Sequence, residues 1–354
     1  MVVPGPNRVW ATLLTRSSYL PGAIILAETL KKHNSAHPLL VLVTPSLPTS
    51  SLRALELESH RNSLLRVRPV EPLVPSTAQK PTSMIAARFE DTWTKLRVLE
   101  LTSYDAVCFL DADIALYKNM DAIFDTDLPG HDWLAACHGC VCTLDKDPWA
   151  DPDWVAANCA WTRQTHPEAL ASGPTVPHSA SADGFLKTHT EINGGVFLFH
   201  PSERQWRDVL HAFETSSELK EMMFPDQDFL RVFFRDRWIG LPWWCNALKT
   251  MRYWHENIWV RDGDVGALHY IVDKPWKKRI ASDGIAGHMG RDGETHSWWW
   301  RLYEKWESER MQEGEEELLG IVREEVAPEL TDEKDREQVQ ENKREGLPVP
   351  VPAH

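Results

Sequence analysis

Short apolar runs alternate with segments of helical periodicity along the first 70 residues. Residues 8–15 (RVWATLLT), 38–43 (PLLVLV) and 64–70 have the composition of strands, whereas residues 19–33 and 50–60 carry apolar side chains at helical spacing. Such alternation is typical of a mostly parallel sheet covered by helices. The sequence therefore predicts an α/β, Rossmann-like fold of nucleotide-binding type, an architecture that serves many functions.

A fully apolar run, residues 106–110 (AVCFL), leads directly into Asp111-Ala112-Asp113. The two acids should lie at the carboxyl end of a buried strand, where ligands bind in open α/β sheets. Because successive side chains of an extended chain point to opposite sides, Asp111 and Asp113 can face the same way and share one cation. Two acids around a small residue also occur by chance in loops, so the motif alone does not identify a metal site.

The charge balance limits the possible partners. Asp and Glu exceed Lys and Arg, which gives a formal net charge of −14. This excess argues against a protein that follows a nucleic-acid backbone, because such a protein needs a basic face. No stretch approaches the roughly 20 apolar residues of a membrane span, and the N-terminus does not resemble a secretory signal. We expect a cytoplasmic protein.

The middle of the chain, residues 130–187, loses this periodicity and is rich in Pro, Trp, Cys, Ser and His. We expect an irregular insertion that lies over the site on its acceptor side. Regular structure returns with a predicted strand at residues 191–200 and a predicted helix at residues 202–215. Gly194 and Gly195, predicted as a turn that leads into this strand, allow a close backbone approach that a side chain would block.

Asp226-Gln227-Asp228 precedes a predicted helix at residues 229–236, where acids suit helix capping as well as chemistry. Beyond residue 300, Glu, Lys and Arg dominate the sequence. We therefore place one large domain in residues 1–300 and a charged tail, helical or disordered, in residues 301–354.

Five ordered blocks carry a family resemblance between residues 8 and 279. The blocks are Ala11-Thr12-Leu13-Leu14-Thr15 with Tyr19; Thr94-Lys95-Leu96 together with Cys108-Phe109-Leu110-Asp111-Ala112-Asp113; Asn193-Gly194-Gly195-Val196-Phe197; Asp226-Gln227-Asp228; and His269 with Lys274-Pro275-Trp276. In this order they resemble the retaining glycosyltransferases of family eight, which include glycogenin and galactinol synthase. The resemblance implies a GT-A type nucleotide-diphospho-sugar transferase domain in residues 1–300.

The resemblance also implies a role for each matched residue. Asp111, Asp113 and His269 would hold Mn²⁺, with Mg²⁺ as the alternative, and Asp226 and Gln227 would be catalytic. Donor contacts would come from Thr12, Leu13 and Tyr19 at the uridine, and from Asn193, Gly194 and Gly195 at the sugar. Lys95 and Lys274 would help to neutralise the diphosphate, and Ala112 of the metal-binding motif would also contact the donor. One departure from the family pattern concerns residues 270–273, between His269 and Lys274, where relatives carry a glycine and a longer gap. Asp273 in this segment would bring a negative charge near the phosphates unless its side chain points away.

The implied reaction transfers a hexose from a UDP-sugar to a hydroxyl acceptor, such as a polyol, with retention of configuration. The stretch Cys137-His138-Gly139-Cys140-Val141-Cys142 and residues 254–257 favour the galactinol synthase branch. Alternatives are self-glucosylation at Tyr253, as in glycogenin, a sugar-nucleotide hydrolase or nucleotidyltransferase, and a UDP-sugar-binding protein without turnover. A homodimer is left open as the oligomeric state.

The cysteine stretch raises the separate question of a zinc site. A closed zinc site needs four ligands at tetrahedral geometry. Near this stretch only Cys159 adds a further thiol, and no second well-spaced pair follows. From the sequence we therefore expect buried, reduced cysteines.

Overall fold

The computed structural model describes residues 5–79, 91–143, 148–177 and 186–347. Within these ranges the chain forms ten strands and nine α-helices, together with 3-10 helices of three to nine residues, the longest of which is Thr92–Glu100. The strands are β1 (Arg8–Leu14), β2 (Leu39–Val43), β3 (Leu65–Pro69), β4 (Ala106–Leu110), β5 (Ile114–Leu116), β6 (Leu134–His138), β7 (Ile192–Phe199), β8 (Trp238–Gly240), β9 (Ala247–Leu248) and β10 (Ala267–His269).

Seven strands form the central sheet, in the order β3-β2-β1-β4-β7-β6-β8. All neighbours in it are parallel except β7, which runs antiparallel to β4 and to β6. A small second sheet has the order β5-β10-β9. The predicted α/β fold with a mostly parallel sheet is confirmed.

Of the nine α-helices in the described residues, those at residues 20–32, 49–61 and 203–215 lie close to predicted helices. The nine helices are α1 (Leu20–Lys32), α2 (Thr49–Arg61), α3 (Glu168–Ala171), α4 (Glu203–Thr215), α5 (Pro225–Phe233), α6 (Met251–Trp254), α7 (Gly293–Gln312), α8 (Glu316–Arg323) and α9 (Asp332–Arg344). Helix α5 starts at Pro225 rather than at residue 229, since proline fits the first helical position. Asp226-Gln227-Asp228 therefore lies within the first turn of α5.

Strand β4 explains why its sequence is apolar at every position. Cys108 and Leu110 belong to the apolar core on one face of the sheet, whereas Val107 and Phe109 belong to the core on the other face. All five residues of β4 are buried. A strand that is covered on both faces has no solvent side, so its hydrophobic pattern is continuous rather than alternating.

The segment predicted to be irregular contains a strand of the central sheet. Strand β6 pairs with β7 and β8, and its sequence Leu-Ala-Ala-Cys-His has no β-branched residue to reveal it. After β6, the described parts of residues 139–177 contain only the four-residue helix α3 and isolated turns. Residues 144–147 and 178–185 of the predicted insertion lie outside the described residues.

The charged C-terminal segment packs against the rest of the chain. Helix α7 runs across the boundary predicted at residue 300, and Tyr303, Trp306 and Arg310 on it are buried. Arg310 donates to both carboxylate oxygens of buried Glu58 on α2, at 2.7 and 2.9 Å. This part of the segment is therefore packed rather than solvated. No helix in the described part of the chain has the length and hydropathy to cross a bilayer.

Candidate active site

Asp111, Asp113 and His269 converge at the carboxyl end of β4. The two acids lie in the short link between β4 and β5, and β10 pairs antiparallel with β5 so that His269 lies opposite Ile114. Nε2 of His269 is 3.3 Å from Oδ1 of Asp113 and 3.8 Å from Oδ2 of Asp111. One ligand atom from each residue lies within 4.8 Å of the other two, so the three side chains can hold one metal ion together.

A chain of amides orients the histidine. Nδ1 of His269 is 3.0 Å from Oδ1 of Asn246, and Nδ2 of Asn246 donates to Oδ1 of Asn193 at 2.8 Å. The same Asn193 oxygen accepts the backbone N–H of Gly195 at 3.0 Å. A proton on Nδ1 leaves Nε2 as a free ligand facing the carboxylates. Asn246 was not predicted as a site residue, because its partners are distant in sequence and no local motif marks it.

Two glycines allow the close packing on which this geometry depends. A Cβ added to Gly195 would overlap the ring of His269, and a Cβ added to Gly22 near the start of α1 would overlap the carbonyl of Ala112. Ala112 itself is buried. The close backbone approach predicted for Gly195 is therefore present, whereas that of Gly22 was not recognised in the sequence.

Two lysines neutralise the carboxylates. Nζ of Lys95 lies 2.8 Å from Asp111 and 2.5 Å from Asp226, and it donates to the carbonyl of Gly194 at 3.3 Å. Nζ of Lys274 forms an ion pair with Asp113 and donates to the carbonyl of Tyr270 at 2.8 Å. Both ammonium groups thus lie within the carboxylate cluster.

The pKa values of Asp111 and Asp113 shift in opposite directions. Burial alone would raise the pKa of Asp113, but the charges of Lys274 and His269 outweigh burial and lower that pKa strongly. Burial, with the neighbouring charge of Asp113, raises the pKa of Asp111 against the opposing effect of Lys95. Two buried carboxylates this close resist being charged together, and additional positive charge relieves the repulsion.

The first turn of α5 completes the site. The carboxylate of Asp228 accepts the backbone N–H groups of Met223 and Phe224 at 2.8 and 2.9 Å, so this residue ties down the start of the helix. Asp226 instead pairs with Lys95, and Oε1 of Gln227 accepts the N–H of Gly194 at 3.2 Å. The sequence left helix capping and chemistry open as roles for this motif. Asp228 holds the helix start, whereas Asp226 and Gln227 contact Lys95 and Gly194 beside the carboxylates.

The predicted uridine contacts lie on β1 and on the turn that follows it. Thr12 is fully buried, and its hydroxyl has no hydrogen-bond partner among the described residues. Leu13 is half-buried on the same strand. The ring of Tyr19 lies 5.5 Å from Nζ of Lys274. An orphaned buried hydroxyl is rare in folded proteins, so Thr12 marks a place where a ligand group would complete the hydrogen bonding.

Asp273, the residue that departs from the family pattern, lies at the surface. Its carbonyl accepts a hydrogen bond from Nζ of the buried Lys249 at 3.0 Å. Lys249 also forms an ion pair of 2.7 Å with buried Asp292 at the start of α7. The short connection from His269 to Lys274 is therefore held by its backbone, and Lys274 still reaches Asp113.

This fold and this site define an α/β enzyme of the GT-A type, with an Asp-Asp-His cluster at the carboxyl end of the central strand. Residues 11–279 match Glycosyl transferase family 8, and the chain belongs to this family. Similar proteins include galactinol synthase 5 from Arabidopsis thaliana, 28% identical over 85% of this chain and 82% of that protein. Galactinol synthase 1 from Solanum lycopersicum is 28% identical over 82% of this chain and 80% of its own length. The protein is a hexosyltransferase.

Solved structures confirm the fold. A complex of the galactosyltransferase LgtC with donor and acceptor sugar analogues has a TM-score of 0.53 and 18% identity, and the match covers 84% of this chain and 96% of that one. The apo structure of the bifunctional glycosyltransferase WbbM has a TM-score of 0.50 and 15% identity, covering 78% of this chain and 48% of that one. At these identities the likeness concerns the architecture alone.

Proposed function

We propose that this hexosyltransferase binds a UDP-sugar through a divalent cation at Asp111, Asp113 and His269, and transfers the hexose with retention to a hydroxyl of a small acceptor such as a polyol. The proposal is carried by the convergence of three ligand atoms within 4.8 Å of one another, beside Lys95 and Lys274. We also infer a cytoplasmic location, since all six cysteines are free.

The donor set fits a hard or borderline divalent cation. Two carboxylates and one imidazole suit Mn²⁺, with Mg²⁺ as the alternative. The carboxylates also attract positive charge from the chain itself, since the ammonium of Lys274 lies against Asp113. When bound, the cation supplies charge that neutralises the diphosphate leaving group.

Side chains and backbone groups of the protein would make the remaining contacts with the donor. In the proposed donor complex, Lys274 leaves Asp113 and meets the diphosphate, while Lys95 stays between Asp111 and Asp226. Thr12, Leu13 and Tyr19 receive the uridine, and the backbone of Gly194 and Gly195 faces the sugar together with Asn193 and Ala112. These residues bring the anomeric carbon to the first turn of α5, where positioning and charge stabilisation contribute most to rate.

Transfer with retention follows from attack on the face that the diphosphate leaves. The bond from the anomeric carbon to the phosphate oxygen breaks, the acceptor hydroxyl bonds to the carbon from the same side, and its proton passes to the leaving phosphate. Asp226 or Gln227 stabilises the oxocarbenium-like centre or forms a transient adduct with it. Both side chains lie beside Gly194.

A neighbouring cavity supports a small, hydroxyl-rich acceptor. It has a volume of about 200 Å³, and its lining includes Glu191, which directly precedes β7, and Asp228, which follows Asp226 and Gln227 in the first turn of α5. Its wall includes an aromatic cluster of Trp149, Trp154 and Phe224, in which Trp154 stacks on Phe224 with the planes 6° apart. Aromatic faces beside carboxylates suit a ring with apolar faces and hydroxyl edges.

Self-glucosylation is the less favoured alternative. Tyr253 lies on α6, its hydroxyl is buried, and its ring packs against Trp254 and the guanidinium of Arg291. A buried hydroxyl cannot accept a sugar unless α6 moves, so an external acceptor fits the structure better. A mass spectrum of the intact protein after incubation with each UDP-sugar tests this directly, because self-glucosylation adds hexose units.

The proposal is tested by incubating the purified protein with UDP-glucose or UDP-galactose, with and without inositol, in Mn²⁺, Mg²⁺ or EDTA. We expect UDP release only with a divalent cation and in step with a glycosylated acceptor that keeps the donor's anomeric configuration by NMR. Asp113→Asn should lower the rate by a factor on the order of 10² to 10³. Asp132→Asn, which changes an exposed carboxylate paired with Arg237, is the matched control and should keep the wild-type rate.

Full turnover in EDTA, or full activity of a folded Asp113→Asn variant, would overturn the cation assignment. Exchange of pyrophosphate into the donor would instead identify a nucleotidyltransferase. Binding of the donor without its consumption would identify a UDP-sugar-binding protein without catalytic activity. Light scattering of the native protein tests separately whether it forms the homodimer that the sequence leaves open.

A further inference from the structure

A second cluster of metal-ligand side chains lies outside the active site. Cys140, Cys142, Cys159 and His255 bring one ligand atom each to within 4.8 Å of the other three. The three sulfurs are 3.3, 3.4 and 3.5 Å from Nε2 of His255. Cys142, Cys159 and His255 are buried, and Cys140 is half-buried. None of the cysteines is in a disulfide.

These distances match the edges of a tetrahedron around a zinc ion. With Zn–S bonds of about 2.3 Å and Zn–N bonds of about 2.0 Å, tetrahedral angles place sulfur and nitrogen about 3.5 Å apart. All three observed sulfur-to-nitrogen distances lie close to this value. The three sulfur–nitrogen distances thus agree with a closed four-ligand site, and the sulfurs lie within 4.8 Å of one another.

Hydrogen bonding alone does not account for the cluster. One imidazole nitrogen donates or accepts a single hydrogen bond, and a thiol is a weak donor and a weak acceptor. Three sulfurs around one ring nitrogen therefore exceed what the group can satisfy. The other cysteines show the ordinary alternative: Cys137 lies 3.4 Å from the carbonyl of Pro242, and Cys108 is an apolar core residue of β4.

We propose that Cys140, Cys142, Cys159 and His255 bind a structural zinc ion, distinct from the cation of the active site. Sulfur-rich sites select zinc, whereas the two carboxylates and one imidazole at the end of β4 select harder ions. All four positions around the zinc are taken by the protein, which leaves no place for a reacting water and assigns the ion a structural role. From the sequence alone the fourth ligand was missing, because His255 is 96 residues beyond Cys159.

The ligands come from three segments that hydrogen bonds also join: Nε1 of Trp161 donates to the carbonyl of His138 at 3.1 Å, and Nδ2 of Asn257 donates to the carbonyl of Trp161 at 2.9 Å. Cys140 and Cys142 follow β6, Cys159 lies between two 3-10 turns, and His255 directly follows α6. Residues 148–177 contain no strand and only helices of three or four residues, so a metal cross-link would add to the order that the hydrogen bonds supply. Trp149 and Trp154 of the aromatic cluster lie just before Cys159. The zinc site therefore fixes the wall of the proposed acceptor cavity.

Metal analysis of the full-length protein by plasma mass spectrometry tests the proposal. After dialysis against EDTA that removes added manganese, we expect close to one zinc per chain to remain, and titration of thiols in the unfolded, zinc-free protein should count all six cysteines. Less than about a tenth of a zinc per chain from zinc-supplemented cells, iron in place of zinc, or a thiol count lowered by a disulfide would overturn it.

Variants locate the ion. Cys159→Ser and His255→Gln should each lower the zinc content at least tenfold, whereas Cys108→Ala changes a buried cysteine outside the cluster and should keep it. Asp113→Asn should also keep the zinc while losing transfer, so failure of the zinc proposal and failure of the active-site cation remain distinguishable. Equal zinc in Cys159→Ser and in the wild type would contradict the proposed ligand set.

Cobalt substitution covers the case in which the cluster variants do not fold. Wild-type protein produced with cobalt should show the intense near-ultraviolet band of cobalt–thiolate charge transfer, because three ligands are sulfur. The active site has no thiolate ligand and cannot give this band. A cobalt-containing protein without the band would rule out the cluster as the binding place.

Discussion

At the scale of single residues, the active site depends on contacts that leave no room for an additional atom. The missing side chain of Gly195 lets its backbone lie directly against the ring of His269. Asn246 then joins this ring to Asn193, whose oxygen returns to the N–H of Gly195. One closed ring of contacts thus fixes both the tautomer of the ligand histidine and its distance from the carboxylates.

A buried histidine beside this region makes stability depend on pH. His296 on α7 is 2% exposed, and Nζ of Lys249 lies 3.2 Å from its Nε2. Burial, together with the charges of Lys249 and Lys274, lowers the pKa of His296 well below the ordinary value of 6.5. The unfolded chain therefore takes up a proton below pH 6.5 that the folded protein does not.

Its contribution to stability is complete above pH 6.5 and is lost as the pH falls. We expect this group to lower the free energy of unfolding by up to about 1.4 kcal/mol per pH unit of acidification below that point. His296→Gln, which keeps an acceptor for Lys249, should remove that part of the slope in urea titrations between pH 7 and pH 5. An unchanged slope in the variant would show that His296 does not carry the effect.

At the scale of elements, α5 and the segment before Cys159 face each other across the proposed acceptor cavity. Trp154 stacks on Phe224, which directly precedes α5, and Trp149 lies edge-on to both rings. The same start of α5 carries Asp226 and Gln227. The cavity wall and the turn that carries the proposed catalytic residues are therefore adjacent along the chain.

Trp154→Ala should affect the acceptor more than the donor. Loss of one stacking face should raise the acceptor KM roughly tenfold, because such a contact contributes on the order of 1 kcal/mol, while the KM for the UDP-sugar should change little. Initial rates with each substrate varied in turn separate the two effects. Equal changes in both KM values, or a change in the donor KM alone, would place the acceptor elsewhere.

At the scale of the whole molecule, the charged C-terminal segment is joined to the domain by a buried ion pair. Arg310 is 1% exposed and Glu58 is fully buried, and Nε1 of Trp306 donates to the same carboxylate at 3.0 Å. An exposed pair, Arg53 and Glu317, joins α2 to α8 close by. The molecule therefore offers a buried and an exposed link between neighbouring elements.

Arg310→Met should lower the free energy of unfolding by roughly 3–5 kcal/mol, because it leaves the buried carboxylate of Glu58 without its partner. Arg53→Met is the matched control and should cost far less, since water and salt screen an exposed pair. Denaturant titrations of the two variants and of Arg310→Met combined with Glu58→Gln give the comparison. Equal losses in the two single variants would contradict the role of burial, and the double variant should recover part of the stability.

The sequence alone determined the alternation of strands and helices, the position at which β4 ends, and the sequence motifs that form the active site. These features are local: an apolar run, a breaker or a motif is read within a few residues. Strand β4 was predicted with its observed bounds for this reason. Strand β6 was missed, because Leu-Ala-Ala-Cys-His becomes a strand only between the neighbours with which it pairs.

Tertiary structure alone decided which distant groups meet. It placed Asn246 behind His269, Glu58 against Arg310, and His255 among three cysteines that precede it by about a hundred residues. No periodicity or spacing encodes such meetings, because they follow from the packing of whole elements, and packing depends on the shapes of all side chains at once. Short sequence motifs thus identify the side chains of the active site. The contacts that hold them in place, and the proposed zinc site, form only when folding brings distant residues together.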